Sequence, residues 1–130
     1  LYRNYWVKKL AKKIFFLGFF LALISPQISY AHTALSNSSI KPGAQIQSLP
    51  ANLILTFSEP LLSIKNKEVN WVKILDPKGS SVAGVESTHG LKLVVAIDSA
   101  TKLRGTYKVN YRVVAEDGHP KIGGFTFTLN

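Results

Sequence analysis

The sequence contains no cysteine and no methionine. Without cysteine there is no disulfide and no thiolate ligand, so a folded core must be held together by packing alone. With neither residue there is no soft sulfur donor for a metal ion. Acidic residues are scarce, 7 against 16 lysines and arginines. Five of the basic residues, Arg3, Lys8, Lys9, Lys12 and Lys13, lie before residue 32, where there is no acidic residue. Residues 32–130 carry the other eleven basic residues and all seven acidic ones, a net charge of +4. That is too weak and too scattered for a nucleic-acid footprint. No stretch shows the 3.6-residue apolar period of an amphipathic helix.

Long apolar runs are also missing. Ile14 to Ile24 is the one sustained stretch, and a membrane span needs about 20 such residues. With the basic residues before it and Ser25-Pro26-Gln27-Ile28-Ser29-Tyr30-Ala31 after it, the stretch has the order of a secretory signal. Small residues, Ser29 and Ala31, stand at the −3 and −1 positions that a signal peptidase reads. We therefore expect residues 1–31 to be a cleavable signal peptide, cut between Ala31 and His32; retention as a membrane anchor is the competing reading. The exported part, residues 32–130, is long enough for one domain with one core and too short for two.

Alternation with period two dominates that part. Leu53, Leu55 and Phe57, then Leu91, Leu93, Val95 and Ile97, then Tyr107, Val109, Tyr111 and Val113, and finally Phe125, Phe127 and Leu129 each alternate with more polar neighbours. Each set predicts a strand with one face in a core. Val72 to Leu75 reads as a further short strand and Val82 to Val85 as a weaker one. Turn chemistry separates them at Lys41-Pro42-Gly43, Asp76-Pro77-Lys78-Gly79, His89-Gly90, Leu103-Arg104-Gly105 and Asp117-Gly118-His119-Pro120. About seven short strands predict an all-β fold, an immunoglobulin-like β-sandwich or a small barrel. The order of pairing is not legible.

Three histidines, His32, His89 and His119, could carry chemistry. Cleavage before His32 would free its α-amine, and that amine and the imidazole Nδ1 can close a six-membered chelate ring on one metal ion. A free α-amine has a pKa near 8, so protons compete only modestly at neutral pH. Against this stands the plain reading that some residue must come first. Asp117 and His119 stand two apart around Gly118; in an extended segment both side chains would point the same way. Taken alone, Asp-Gly-His is simply a turn. Taken with His32, it completes a set of one amine, two imidazoles and one carboxylate. Three nitrogens and one oxygen suit the tetragonal preference of Cu(II); zinc would accept the same donors tetrahedrally.

At this point the sequence resembles the CopC family of periplasmic copper-binding proteins. The resemblance runs from His32, Ala34-Leu35, Ser38 and Gly43-Ala44 through Leu55-Thr56-Phe57-Ser58-Glu59 and Gly105-Thr106-Tyr107-Lys108-Val109. It continues in Tyr111-Arg112-Val113-Val114-Ala115-Glu116-Asp117-Gly118-His119-Pro120 and closes at Gly124-Phe125-Thr126-Phe127. It implies a Greek-key, cupredoxin-like sandwich holding one Cu(II) per mature chain, with His32 (amine and imidazole), Asp117 and His119 as ligands. Glu59 would stand beside the site and orient an imidazole; its plain reading is a charged strand end before Pro60. Ile40 departs from a proline common in the family, and a methionine-based Cu(I) site is absent. His89 reads as a solvated loop residue, and Trp71 and the tyrosines as packing.

The resemblance further implies a soluble periplasmic carrier or buffer rather than an enzyme. It would act in copper resistance or uptake and hand copper to an inner-membrane transporter of the CopD type or to another copper-handling protein. Two alternatives stay open. One is a copper-dependent oxidative enzyme of the amino-terminal-histidine type, which this chain resembles at His32 alone. The other is a structural sandwich module in which Asp117-Gly118-His119 is only a turn.

Overall fold

The computed structural model describes residues 33–98, 100 and 103–130. The segment read as an export signal, residues 1–31, and His32 lie outside the described residues. Eight strands follow one another: β1 (Leu35–Ser38), β2 (Gln45–Ile46), β3 (Asn52–Phe57), β4 (Trp71–Leu75), β5 (Ala83–His89), β6 (Lys92–Ile97), β7 (Gly105–Val114) and β8 (Pro120–Leu129). They form two four-stranded sheets, β1-β3-β6-β5 and β2-β8-β7-β4. The hairpins β5–β6 and β7–β8 each stay within one sheet, while β3–β4, β4–β5 and β6–β7 cross between sheets. The all-β sandwich is the architecture the alternation predicts; the pairing, β3 beside β6 and β4 beside β7, was not legible in it.

The predicted inward positions form the core. Leu53, Leu55 and Phe57 of β3 and Leu93, Val95 and Ile97 of β6 face Val72 and Ile74 of β4 and Tyr107, Val109, Tyr111 and Val113 of β7; all are buried. Fully burying a side chain of this size contributes about 1.5–3 kcal/mol, which is what replaces disulfides here. Phe57 meets Tyr111 edge-on across the two sheets, with ring centroids 5.4 Å apart, and Tyr107 stacks on Phe127 at 5.1 Å. Gly123 sits beneath the Tyr111 ring, where an added Cβ would strike the phenol. That close approach is the reason for a glycine in mid-strand.

Three details differ from the alternation pattern. β1 and β2 were not legible: β1 is short with an irregular register, and β2 is two residues paired in parallel with Thr128 and Leu129. Their pairing thus makes eight strands rather than about seven. Leu91 is not inward; it lies in the β5–β6 turn and is 42% exposed, so the strand starts at Lys92. β8 begins five residues early, at Pro120, because its ladder with β7 continues to Val114↔Pro120.

Candidate metal centre

The segment that follows β3 joins the two sheets at one end of the sandwich. Phe57 N–H donates to Leu91 O at 2.8 Å and Leu61 N–H to Gly90 O at 2.9 Å, which holds the segment against the β5–β6 turn. On its other side, Glu116 N–H donates to Pro60 O at 3.1 Å and Leu62 N–H to Val114 O at 2.8 Å, with a bridge between Leu61 and Ala115. Asn70, buried to 4% exposure, pins the arrangement. Its Nδ2 donates to Leu62 O at 2.8 Å and to Thr88 Oγ1 at 3.1 Å, and its Oδ1 accepts from Val114 N–H at 2.8 Å. One side chain thereby ties the connector to a strand of each sheet.

Asp117-Gly118-His119 forms the β7–β8 turn beside this connector. Gly118 N–H donates to Ala115 O, and Gly118 adopts φ 88°, a left-handed conformation that favours glycine. The expected convergence of Asp117 and His119 is present, but not through extended geometry. The chain turns at Gly118, and the Asp117 carboxylate reaches across it. Oδ1 accepts from His119 N–H at 3.0 Å, and Oδ2 lies 3.0 Å from His119 Nδ1. Such side-chain to backbone closure is characteristic of aspartate in turns.

Both side chains are open to solvent, His119 at 80% and Asp117 at 52%. The backbone hydrogen bond from His119, and then the ring contact, hold the Asp117 carboxyl below the usual carboxylate range. It is therefore ionised and ready to act as a donor. The ring contact sets the orientation of the His119 imidazole relative to the Asp117 carboxylate.

Glu59, expected to orient an imidazole, has a different described partner. Its Oε2 accepts a hydrogen bond from Thr33 Oγ1 at 2.8 Å, and Thr33 is buried. Ala34 N–H donates to Ser58 Oγ and Ser58 N–H to Ala34 O, both at 2.9 Å. The residue following His32 is thus fastened to Ser58-Glu59, and the next residue, Pro60, is fastened to Glu116. Thr33, Ser58 and Asn70 are positions that sequence reasoning missed. Ser58 and Glu59 were legible only as a strand end, and nothing in the spacing of Asn70 or Thr33 marks them.

Among the described residues, no group of three or more histidine, cysteine, aspartate or glutamate side chains gathers in a way that could hold a metal ion. Asp117 and His119 form a pair. His89, read from the sequence as a loop residue, is the last residue of β5, paired with Lys92; it is exposed, with Nε2 3.1 Å from Ser87 Oγ. His32, expected from the sequence to supply further donors, lies outside the described residues.

A two-sheet sandwich with an imidazole–carboxylate pair on an end turn, beside the incoming amino-terminal segment, defines a class: β-sandwich proteins that present donor side chains at one end. The CopC domain family matches residues 35–130, and the chain belongs to that family. It is similar to copper resistance protein C of Xanthomonas campestris pv. juglandis, 31% identical over 113 residues, 83% of this chain and 87% of the relative. It is also similar to protein YobA of Escherichia coli K12, 28% identical over 112 residues, 83% and 86% of the two chains. Among solved structures, PcoC, a methionine-rich copper resistance protein from Escherichia coli, superposes with a TM-score of 0.61 at 27% identity; the match covers 77% of this chain and all of PcoC. The CopC structure from Methylosinus trichosporium OB3b matches in fold with a TM-score of 0.61 at 24% identity, over 76% of this chain and 94% of that one.

Proposed function

We propose that this protein is a periplasmic Cu(II) carrier or buffer that acquires its first ligand when its export signal is removed. As a CopC-family protein it is a copper resistance protein and not an enzyme. In this reading, cleavage between Ala31 and His32 frees an amine that joins the His32 imidazole in a chelate; Asp117 and His119 complete the donor set. One Cu(II) per mature chain is the expected load, since three nitrogens and a carboxylate suit that ion, which sits at the top of the divalent affinity order. The absence of methionine separates this chain from PcoC, described as methionine-rich, and leaves no thioether donors for Cu(I). Delivery to an inner-membrane transporter of the CopD type is the corresponding downstream step.

One observation supports the reading above the others. Thr33-Ala34 is hydrogen-bonded to Ser58-Glu59, and Pro60 to Glu116. The chain entering from His32 is therefore connected through one short segment to the turn that carries Asp117 and His119. The test compares two proteins by competitive Cu(II) titration, one starting at His32 and one retaining Ala31. Retention turns the amine into an amide and removes one arm of the chelate, so affinity should fall by on the order of 100-fold. Equal affinities would overturn the amino-terminal part of the site.

A further inference from the structure

The outward faces of the two sheets differ in charge. In the second sheet, register places nine outward side chains in three rows across β4, β7 and β8. Trp71, Arg112 and Ile122 form the row nearest the Asp117–His119 turn. Lys73, Asn110 and Gly124 form the next, followed by Leu75, Lys108 and Thr126. Three of the nine are cations and none is acidic. Lys73 Nζ lies 5.3 Å from the centroid of the Trp71 ring, and Ile122 is 70% exposed. On the first sheet the corresponding outward positions of β3, β6 and β5 are mostly neutral, including Ile54, Val94 and Ser87, with Lys92 the single cation.

Two nearby carboxylates are taken up by backbone N–H groups, while Glu68, three residues before Trp71, is exposed. Asp76, at the far end of β4, is buried and accepts from Lys78 N–H and Ser80 N–H. Glu86, across the open edge from β4, accepts from Val72 N–H. Glu116 and Asp117 lie beyond the end of β7, in the turn.

We propose that the outward face of the second sheet docks on an anionic lipid surface. The face is small: three strands about 4.8 Å apart and three rows about 6.8 Å apart cover roughly 300 Å². A stable protein partner needs about 800 Å² from each side, with pockets for its anchors. A planar bilayer needs no shape complementarity. It also rewards this mixture of residues: cations facing anionic headgroups, and a tryptophan with an aliphatic neighbour at the interface. Each cation near such a surface strengthens binding roughly fivefold, so the exposed Lys73 and Lys108, with the half-buried Arg112 that also donates to Val69 O at 2.8 Å, give transient attachment. Because the Trp71 row adjoins the Asp117–His119 turn, docking would hold that turn close to the membrane. The proposal makes no use of the copper donors, so its failure and the failure of the copper reading are separable.

The test uses the apo-protein from His32 to Asn130. Those residues form one compact unit, and a chain matched along its whole length by 77% of this one crystallises folded. Within them Trp71 is the sole tryptophan, so its fluorescence reports on this face. At low salt the protein should co-sediment with vesicles of one part phosphatidylglycerol to two parts phosphatidylcholine. Trp71 emission should shift to the blue, and both effects should fade as salt rises. Pure phosphatidylcholine should bind at least about tenfold more weakly. The Lys73→Glu/Lys108→Glu double variant should lose at least about tenfold in anionic-vesicle binding. Lys65→Glu/Lys92→Glu, with the same net charge, should stay within about twofold. Lys73→Gln/Lys108→Gln, a gentler change in case the reversal unfolds the strand, should show an intermediate loss. Equal losses in the two reversal variants, vesicle binding without a Trp71 shift, or binding to polyglutamate but not to vesicles would each overturn the proposal.

Discussion

Two hairpin turns flank the connector that follows β3, and each presents one histidine beside one glycine. At the β5–β6 turn, His89 ends β5, has a serine hydroxyl within reach and is otherwise exposed to solvent. In the β7–β8 turn, His119 is held twice by one carboxylate, through its backbone N–H and its ring. The hairpins also hold their carboxylates differently. Asp117 is exposed and pulled below its usual range by hydrogen bonds from His119. Glu86 of β5 is half-buried and pushed up, first by desolvation and to a smaller extent by Glu68, despite its hydrogen bond from Val72 N–H. An imidazole on a turn is common. The β7–β8 turn adds a carboxylate held against the ring, which is what the proposed copper site would draw on.

The largest expected effect separates the two histidines. His119→Ala should weaken Cu(II) binding by on the order of 100-fold, whereas His89→Ala should change it by less than about twofold; competition titration reads both. Similar losses would erase the distinction between the turns. Next comes the residue that ties both sides to the connector. Asn70→Ala should cost about 2 kcal/mol of stability in urea unfolding, because it strands the buried Val114 N–H and the Leu62 carbonyl. A cost near zero would mean that the turns do not depend on this clamp.

Asp117→Asn tests the carboxylate itself. The amide oxygen can still accept from His119 N–H, so the turn should keep its shape while Cu(II) affinity falls by about tenfold. The depressed Asp117 pKa means that the wild-type charge is present above the usual carboxylate range and is lost only well into acid. The difference between variant and wild type should therefore persist at mildly acidic pH. The smallest effect concerns Glu86. A carboxyl with a raised folded-state pKa favours the folded state in acid and loses that contribution as pH rises through the folded value. Glu86→Gln should consequently melt slightly higher than wild type at pH 7 and lose this advantage toward pH 4, as thermal denaturation at the two pH values would show.

Much of the architecture was legible because a half-buried strand writes its inward face into every second residue. Leu53 to Phe57 and Tyr107 to Val113 are clear cases, and both are buried as the alternation predicts. Pairing was not legible, since β3 and β6 meet through contacts between distant segments that leave no local pattern. β2 has two residues, too few to show any period. Asp117 and His119 were legible as a pair, yet the geometry that joins them is a turn around Gly118 rather than an extended strand. Thr33 and Asn70 left no mark because each acts through one or two hydrogen bonds to partners far along the chain.

The connector following β3 also bears on the order in which the molecule assembles. The β7–β8 hairpin is built from neighbouring residues and can form early, bringing Asp117 to His119 with little loss of chain entropy. The seat for the amino-terminal segment closes later. Thr33 must find Glu59 across 26 residues, and Pro60 must find Glu116 near the other end of the chain, which are slow, non-local contacts. In the proposed copper reading, an exported chain would thus hold Asp117 beside His119 before its amino-terminal segment was seated. The ion would join a finished scaffold instead of nucleating it, so capture of copper would report that folding is complete.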